Sequence, residues 1–184
     1  FFIFSFVINF IFAQETEEII SVASYIESSE SNASPVDVIS AKEFKNLRVT
    51  TVAELSKYLS IASGSNFQTN ALDGVDQGMA NITLRGMDHA STLVLINKKR
   101  QTHSGTPSNE GEGYIDINII PEIALNRIEI LKDGATSLYG SDAVAGVINF
   151  QTYQQFKGIR LALGSQKTSN YDQRDNSLGA LFGG

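Results

Sequence analysis

Asn126-Arg127-Ile128-Glu129-Ile130-Leu131-Lys132-Asp133-Gly134, continued by Ser137-Leu138-Tyr139-Gly140-Ser141-Asp142-Ala143 and by Gly146-Val147-Ile148-Asn149, decides how the rest of the chain is read. Alternation turns Ile128 and Ile130 to one side of a strand from Arg127 to Lys132. Val144 to Phe150 makes a second strand, the last of the core. Around them Gly134, Gly140 and Gly146 permit tight turns, or a close approach of backbone where a side chain would clash. A phosphate-cradling loop also uses glycines, but it needs a Gly-Lys-Ser/Thr ending that is absent here.

Upstream of that stretch, Pro35 opens a strand over Val36 to Ile39. Ser40-Ala41-Lys42-Glu43 has capping-box spacing, with Phe44 and Leu47 as the apolar stripe, and Thr51-Val52-Ala53-Glu54 repeats the device ahead of Leu55 and Leu59. Two short helices are therefore expected. Ala62 to Ala80 is rich in Gly, Ser, Asn, Asp and Gln and reads as an exposed loop, long enough to be functional or mobile. Ile82 and Leu84, alternating with Thr83 and Arg85, predict a half-buried strand, and the unbroken apolar run Thr92 to Ile96 suits a sheet centre. Lys98, Lys99 and Arg100 read as a solvated turn. A second polar loop, Thr102 to Gly113, leads to Ile115-Asp116-Ile117, and Pro121 starts a short turn or helix ending near Leu125. Four or five strands with short helices between them give an α/β (α+β) domain with a mixed sheet. Beyond Tyr153 the texture changes: Ile159, Leu161 and Leu163 alternate with Arg160, Ala162 and Gly164, and Leu178, Ala180 and Phe182 alternate again. That pattern fits the wall of a membrane barrel, apolar toward lipid and small or polar toward the lumen, although any edge hairpin reads the same way.

Phe1 to Ala13 is apolar apart from Ser5 and Asn9. It is too short to span a bilayer but matches the core of a signal peptide ending in a small residue; a buried strand or helix is the alternative. With no initiator Met or basic leader before Phe1, and with Gly183 and Gly184 falling inside a strand-like pattern, the chain is expected to be clipped at both ends. Glu15 to Glu18 leads into the β-prone run Ile19 to Ala23, then a Ser-rich tether from Glu27 to Ser34. A formal net charge of -6 argues against a nucleic-acid partner, which needs a basic face. Absence of Cys, two histidines confined to loops and no metal or nucleophile-elbow motif argue against an enzyme.

Asn81-Ile82-Thr83-Leu84-Arg85-Gly86, Thr92-Leu93-Val94-Leu95-Ile96-Asn97 and the block from Arg127 to Asn149 resemble, in order and spacing, the plug of TonB-dependent outer-membrane receptors. The resemblance covers roughly Pro35 to Thr152. It implies a signal peptide over 1–13, a TonB box and flexible linker over 14–34, a plug domain over 35–152 and the first β-barrel strands over 153–184. By the same resemblance the receptor binds a scarce nutrient such as a metal chelate or oligosaccharide. The plug occludes the barrel until TonB, driven through ExbB and ExbD, pulls on it. The expected location is the outer membrane of a Gram-negative bacterium, the barrel against lipid and the plug inside it on the periplasmic side. No cofactor and no resident metal are implied.

Glu18, Ile19, Ile20, Ser21, Val22 and Ala23 resemble the TonB box, and an extended, β-prone segment on a leash can add a strand to a partner's sheet edge. An ordinary first strand of the plug is the alternative. Arg85 and Arg127 are placed on strands facing away from the apolar side. The matching family arginines pair with barrel carboxylates, which makes these two a plug–barrel lock, against an ordinary salt bridge of little energy. Ligand contacts are expected from Asn66, Phe67, Gln68, Asp88, His89, His103, Glu112 and Tyr114 in the outward loops. Two distant histidines are more often plain loop residues than ligands to a metal chelate. Two departures stand out: Lys132-Asp133-Gly134 replaces an Arg-Gly-Pro common in relatives, and Lys has no bidentate fork. Asn97-Lys98 replaces Asp-Gly, and Lys adopts a left-handed conformation only at a cost. A free periplasmic α/β binding or signalling module without a barrel is the other function the residues allow. The two differ in the sequence expected beyond Gly184: a barrel needs many more alternating segments, whereas a free module stops or changes composition.

Overall fold

A computed structural model describes residues 36–47, 51–65, 78–105, 107–108, 111–132, 135–167 and 174–184. The expected signal peptide, TonB box and linker lie outside the described residues, as do Asn66, Phe67 and Gln68.

The core is a five-stranded mixed sheet of order β1-β4-β5-β2-β3. β1 (Val36–Ser40) runs antiparallel to β4 (Leu125–Leu131), β4 antiparallel to β5 (Gly146–Thr152), β5 parallel to β2 (Thr92–Ile96), and β2 antiparallel to the short β3 (Lys99–Arg100). Alternation sorts the side chains to two faces. Ile128, Ile130, Ile148, Phe150 and Val94 pack with Phe44, Val52, Leu55, Ile82, Leu84 and Ile117. On the opposite face Leu93, Leu95, Leu131 and Val147 pack beneath Ala135 and Tyr139 of α2 (Ala135–Tyr139) and beneath Ala143. A strand covered on both faces has to be apolar throughout, which is the reason for the unbroken Leu93-Val94-Leu95 run. Each such aliphatic side chain contributes about 1.5–3 kcal/mol by leaving water.

The two helices form where their caps stand. In α1 (Ala41–Asn46), Ser40 Oγ accepts from the Glu43 amide at 3.3 Å while Glu43 Oε2 accepts from the Ser40 amide at 2.8 Å, closing the capping box. The Ser40 amide first, and then the Ser40 hydroxyl donating to Glu43 Oε2 at 2.9 Å, hold the Glu43 carboxyl below its usual range. The second helix is a 3-10 segment, Val52–Tyr58, capped by Thr51 Oγ1 accepting from the Glu54 amide at 3.3 Å.

Three local expectations are corrected. Residues 82–85 form no strand, and Thr83 is as buried as Ile82 and Leu84. Ser65 Oγ accepts from the Thr83 amide at 2.9 Å, Thr83 Oγ1 donates to the Ser63 carbonyl at 3.2 Å, and Thr92 Oγ1 accepts from the Leu84 amide at 2.9 Å. Side chains therefore satisfy polar groups that a neighbouring strand would otherwise take. The ends of the expected exposed loop are buried as well, at Ala62, Met79 and Ala80. Second, the turn is confined to Asn97 and Lys98, with φ of +51° and +67°, while Lys99 and Arg100 return along Ile96 and Leu95 as β3. Third, β5 begins at Gly146 rather than Val144 because Ala145 first donates its amide to the Ser91 carbonyl at 2.9 Å.

The Asn97–Lys98 turn is tied to β5. Asn97 Oδ1 accepts from the Thr152 amide at 2.9 Å, and the Lys98 amide donates to Asn149 Oδ1 at 2.9 Å. Glycine keeps that amide and removes the left-handed cost of about 1–2 kcal/mol, partly offset by glycine's looser unfolded chain. Lys98→Gly is thus expected to raise stability by about 0.5–1 kcal/mol, read from the urea unfolding midpoint. An unchanged or lower midpoint would contradict it.

β6 (Gly158–Lys167) and β7 (Arg174–Gly183) form a separate antiparallel hairpin. Its register pairs Ile159 with Phe182, Leu161 with Ala180 and Leu163 with Leu178, laying an apolar stripe on one face. Ile159, Leu161, Leu163, Leu178 and Phe182 are all exposed there. The other face meets the core: Gly179 lies beside Ile123, and the Arg160 guanidinium sits over Tyr153 at 4.7 Å and Phe156 at 5.1 Å. No helix among the described residues is long and apolar enough to cross a membrane.

Candidate functional site

Three segments meet at the end of the sheet where β2 and β5 start. Thr92 stands opposite Gly146 there, while the chain leaves for the hairpin from the other end of β5, at Thr152. The short turn His89–Ser91 delivers the chain to β2, β3 hands over to residues 101–103, and residues 113–115 come back beside them. The returning arm is held by the Ser104 amide donating to the Tyr114 carbonyl at 2.8 Å, and the loop tip by the Ser108 amide donating to the Glu112 carbonyl at 2.9 Å. Asn81, His89, Arg100, Gln101, His103 and Tyr114 line the resulting cavity of about 150 Å³. Three of the residues expected to meet ligand, His89, His103 and Tyr114, are thereby brought together.

Each histidine is held by a different device. Buried Asn81 places its Nδ2 at 2.6 Å from His89 Nδ1, so with the amide donating, the ring is the tautomer that carries its proton on Nε2. The His103 ring lies close against Gly113, where an added Cβ would come within 2.3 Å of His103 Nδ1. Asp88 stays outside the cavity lining and accepts from Ser91 Oγ at 2.5 Å. Glu112 also stays out of the lining, and its Oε2 is buried without a hydrogen-bond partner among the described residues.

Arg100, expected in a solvated turn, instead carries the ionic contact of this wall. Its Nη1 donates to Asp142 Oδ2 at 2.6 Å and its Nη2 donates to the Tyr139 carbonyl. The Arg100 hydrogen bond, followed by that of Ser141, holds the Asp142 carboxyl below its usual range. The cavity wall thus grips the connection between β4 and β5. Among the described residues no group of three or more His, Asp or Glu could hold a metal ion.

The two arginines expected to lock the plug sit in different settings, Arg127 on β4 as expected and Arg85 on a turn instead of a strand. Arg127 does face away from Ile128 and Ile130, but its side chain is 11% exposed and donates through Nε to Glu129 Oε1 at 2.8 Å. Glu129, 0% exposed, also accepts from Asn149 Nδ2 at 3.0 Å through Oε2. A charge that deep persists only with partners of this kind. The sequence did carry a signal for it: Glu129 and Asn149 are polar residues inside apolar runs, and they stand opposite each other in the β4–β5 register. Arg85 is on a turn rather than a strand, at φ +61°, and is exposed, with Nη2 donating to the Lys132 carbonyl at 2.6 Å. Lys132 in turn pairs its ammonium with the Asp37 carboxylate.

Comparison with known proteins gives the same assignment. Residues 28–147, more than half of the chain, match the model of the TonB-dependent Receptor Plug Domain family. The chain is 31% identical over 152 residues to an iron-regulated outer membrane virulence protein of Vibrio cholerae, covering 79% of this chain and 22% of that one. It is 30% identical over 149 residues to the vitamin B12 transporter BtuB of Vibrio vulnificus, with 79% and 22% covered. Among solved structures, the siderophore receptor PirA of Acinetobacter baumannii superposes with a TM-score of 0.56 at 27% identity, over 79% of this chain and 21% of the other. The ferric enterobactin receptor PfeA of Pseudomonas aeruginosa, as its R480A mutant with enterobactin, gives 0.54 at 26%, over 74% and 20%. The chain therefore spans about a fifth of the length of the relatives it matches. A mixed-sheet plug followed by the first strands of a membrane barrel accounts for both sheets, and the chain belongs to the TonB-dependent receptor plug domain family.

Proposed function

We propose that this chain is the plug region of an outer-membrane receptor that gates energy-coupled uptake of a scarce nutrient such as a metal chelate. The observation that carries it is the continuity of a family plug with a hairpin whose apolar stripe faces outward, as a strand against lipid does. Similarity to siderophore receptors and to a vitamin B12 transporter favours a metal-bearing cargo over an oligosaccharide. In this reading the receptor sits in the outer membrane of a Gram-negative bacterium, the plug inside its barrel. TonB, energised through ExbB and ExbD, takes hold of Glu18 to Ala23 by strand addition. His89, His103 and Tyr114 meet the ligand at the end of the plug away from the hairpin, and Asn66, Phe67, Gln68, Asp88 and Glu112 are the further ligand contacts of this reading. In this reading Arg85, exposed on a turn, and Arg127, half of the seam with Glu129, together form the plug–barrel lock.

Deleting residues 18–23 from the full-length receptor tests this, with radiolabelled ferric siderophores and cobalamin supplied to cells that lack their own receptors. The expected result is energy-dependent uptake of at least one cargo, abolished by the deletion while surface binding persists. Uptake unchanged by the deletion, or no uptake of any cargo, would contradict it.

A further inference from the structure

We propose that the cavity bounded by His89, Arg100, His103 and Tyr114 takes a single small acidic group, a carboxylate or a phosphate, and that Arg100 receives it by giving up Asp142. Assigning that group to cargo rests on the receptor reading above; the exchange itself does not.

Size limits the occupant first. At about 150 Å³ the cavity admits one compact group and excludes a whole nutrient complex, since a cavity of about this volume holds a benzene ring. Chemistry narrows it further. The titratable and charged groups in the lining are Arg100, Asp142, His89, His103 and Tyr114, and Asp142 is the only carboxylate among them. Histidine, tyrosine, glutamine and guanidinium all offer N–H or O–H donors, so the wall suits an acceptor with several oxygens. In addition, the acid that now occupies Arg100 is easily displaced. The two side chains are 47% and 57% exposed, and an ion pair so open to water holds its partners weakly. An incoming oxyanion can offer two oxygens to the planar fork. Meanwhile the Nη2 bond to the Tyr139 carbonyl keeps Arg100 anchored on α2.

The exchange has a structural consequence. Asp142 lies in the turn Ser141–Ala143, and Ala143 and Tyr139 cover Leu93, Leu95 and Val147. Arrival of the acid therefore loosens this turn from β3 and carries occupancy of the cavity into the β4–β5 connection. Gly113 is a positioning residue here, because its missing Cβ is what lets the His103 ring lie where it does.

Isothermal titration of the full-length receptor with inorganic phosphate, and separately with acetate, tests the proposal. At least one of them is expected to bind saturably, and the tighter of the two identifies the acid group. Asp142→Asn removes the internal competitor and should tighten that binding about tenfold, whereas Arg100→Gln should weaken it about tenfold or more. Gly113→Ala, which displaces His103 without deleting it, should weaken binding severalfold. Amide exchange at Ser141 to Ala145 should rise when the probe is added, and should already be raised in Asp142→Asn. Binding of neither probe, an Asp142→Asn affinity equal to or below that of the parent, or exchange at 141–145 indifferent to the probe overturns the proposal. If it is overturned while energy-dependent uptake persists, the receptor reading stands. Loss of that uptake alone leaves the anion titration intact.

Discussion

Glu129→Ala is expected to destabilise the domain by about 3–5 kcal/mol. Glu129 is fully buried between Arg127 Nε at 2.8 Å and Asn149 Nδ2 at 3.0 Å. Truncation leaves the Arg127 guanidinium, itself 11% exposed, without the carboxylate that offsets its desolvation, and it takes the acceptor from Asn149. The magnitude reflects a stranded charge, not the worth of the pair. Replacing both partners together, as Arg127→Met with Glu129→Leu, should therefore recover the part of the loss due to the charge, because apolar side chains of similar volume leave no charge to desolvate, while Asn149 still lacks its acceptor. Urea unfolding of the parent, the single and the double variant checks this. A single variant within about 1 kcal/mol of the parent would show that the seam is not isolated from water.

Gly146→Ala is expected to cost about 3 kcal/mol or more, from two sources that add. At φ +138° an L side chain is strained whatever the surroundings, and here the added Cβ would sit 2.6 Å from the Leu131 carbonyl oxygen and 2.8 Å from Leu84 Cδ1. Leu84 can rotate away, but the carbonyl belongs to β4, whose Leu131 stands opposite Val147, and it cannot move without breaking that register. Gly140→Ala separates the terms. Its φ of +86° and ψ of -166° carry a conformational cost of their own, but nothing lies within 4 Å of the new Cβ, so about 1–3 kcal/mol is expected. Equal losses at the two positions would mean that the β4–β5 contact yields easily.

Both sites bear on what a linear sequence reveals. Alternation at Ile128 and Ile130 and the apolar stretch up to Phe150 locate the paired central strands, and the Ser40–Glu43 spacing locates α1, because these depend on neighbours within a few residues. The strand expected at 82–85 fails for a non-local reason. Its alternation is real, but Ser63 and Ser65, 18 to 20 residues away, answer the polar groups of Thr83, and no periodicity encodes that. Arg127 is turned to the expected side yet lies beneath the surface, since alternation gives the face a residue occupies and not what covers it. Much the same holds for the cavity: His89 and His103 lie in different loops, and only the fold-back of residue 113 onto His103 puts both on one wall. Arg100 looks like a member of a solvated cationic triplet because its partner, Asp142, is 42 residues distant.

Continuity of this plug with a membrane barrel is tested most directly by expressing the complete gene, fractionating the envelope and comparing the gel mobility of boiled and unboiled product. The expected product is several times the length of this chain, recovered with the outer membrane and running faster when unboiled, as a closed barrel resists unfolding in detergent. A short product recovered from the soluble periplasmic fraction, with one mobility, would contradict that continuity and make the chain a free binding module.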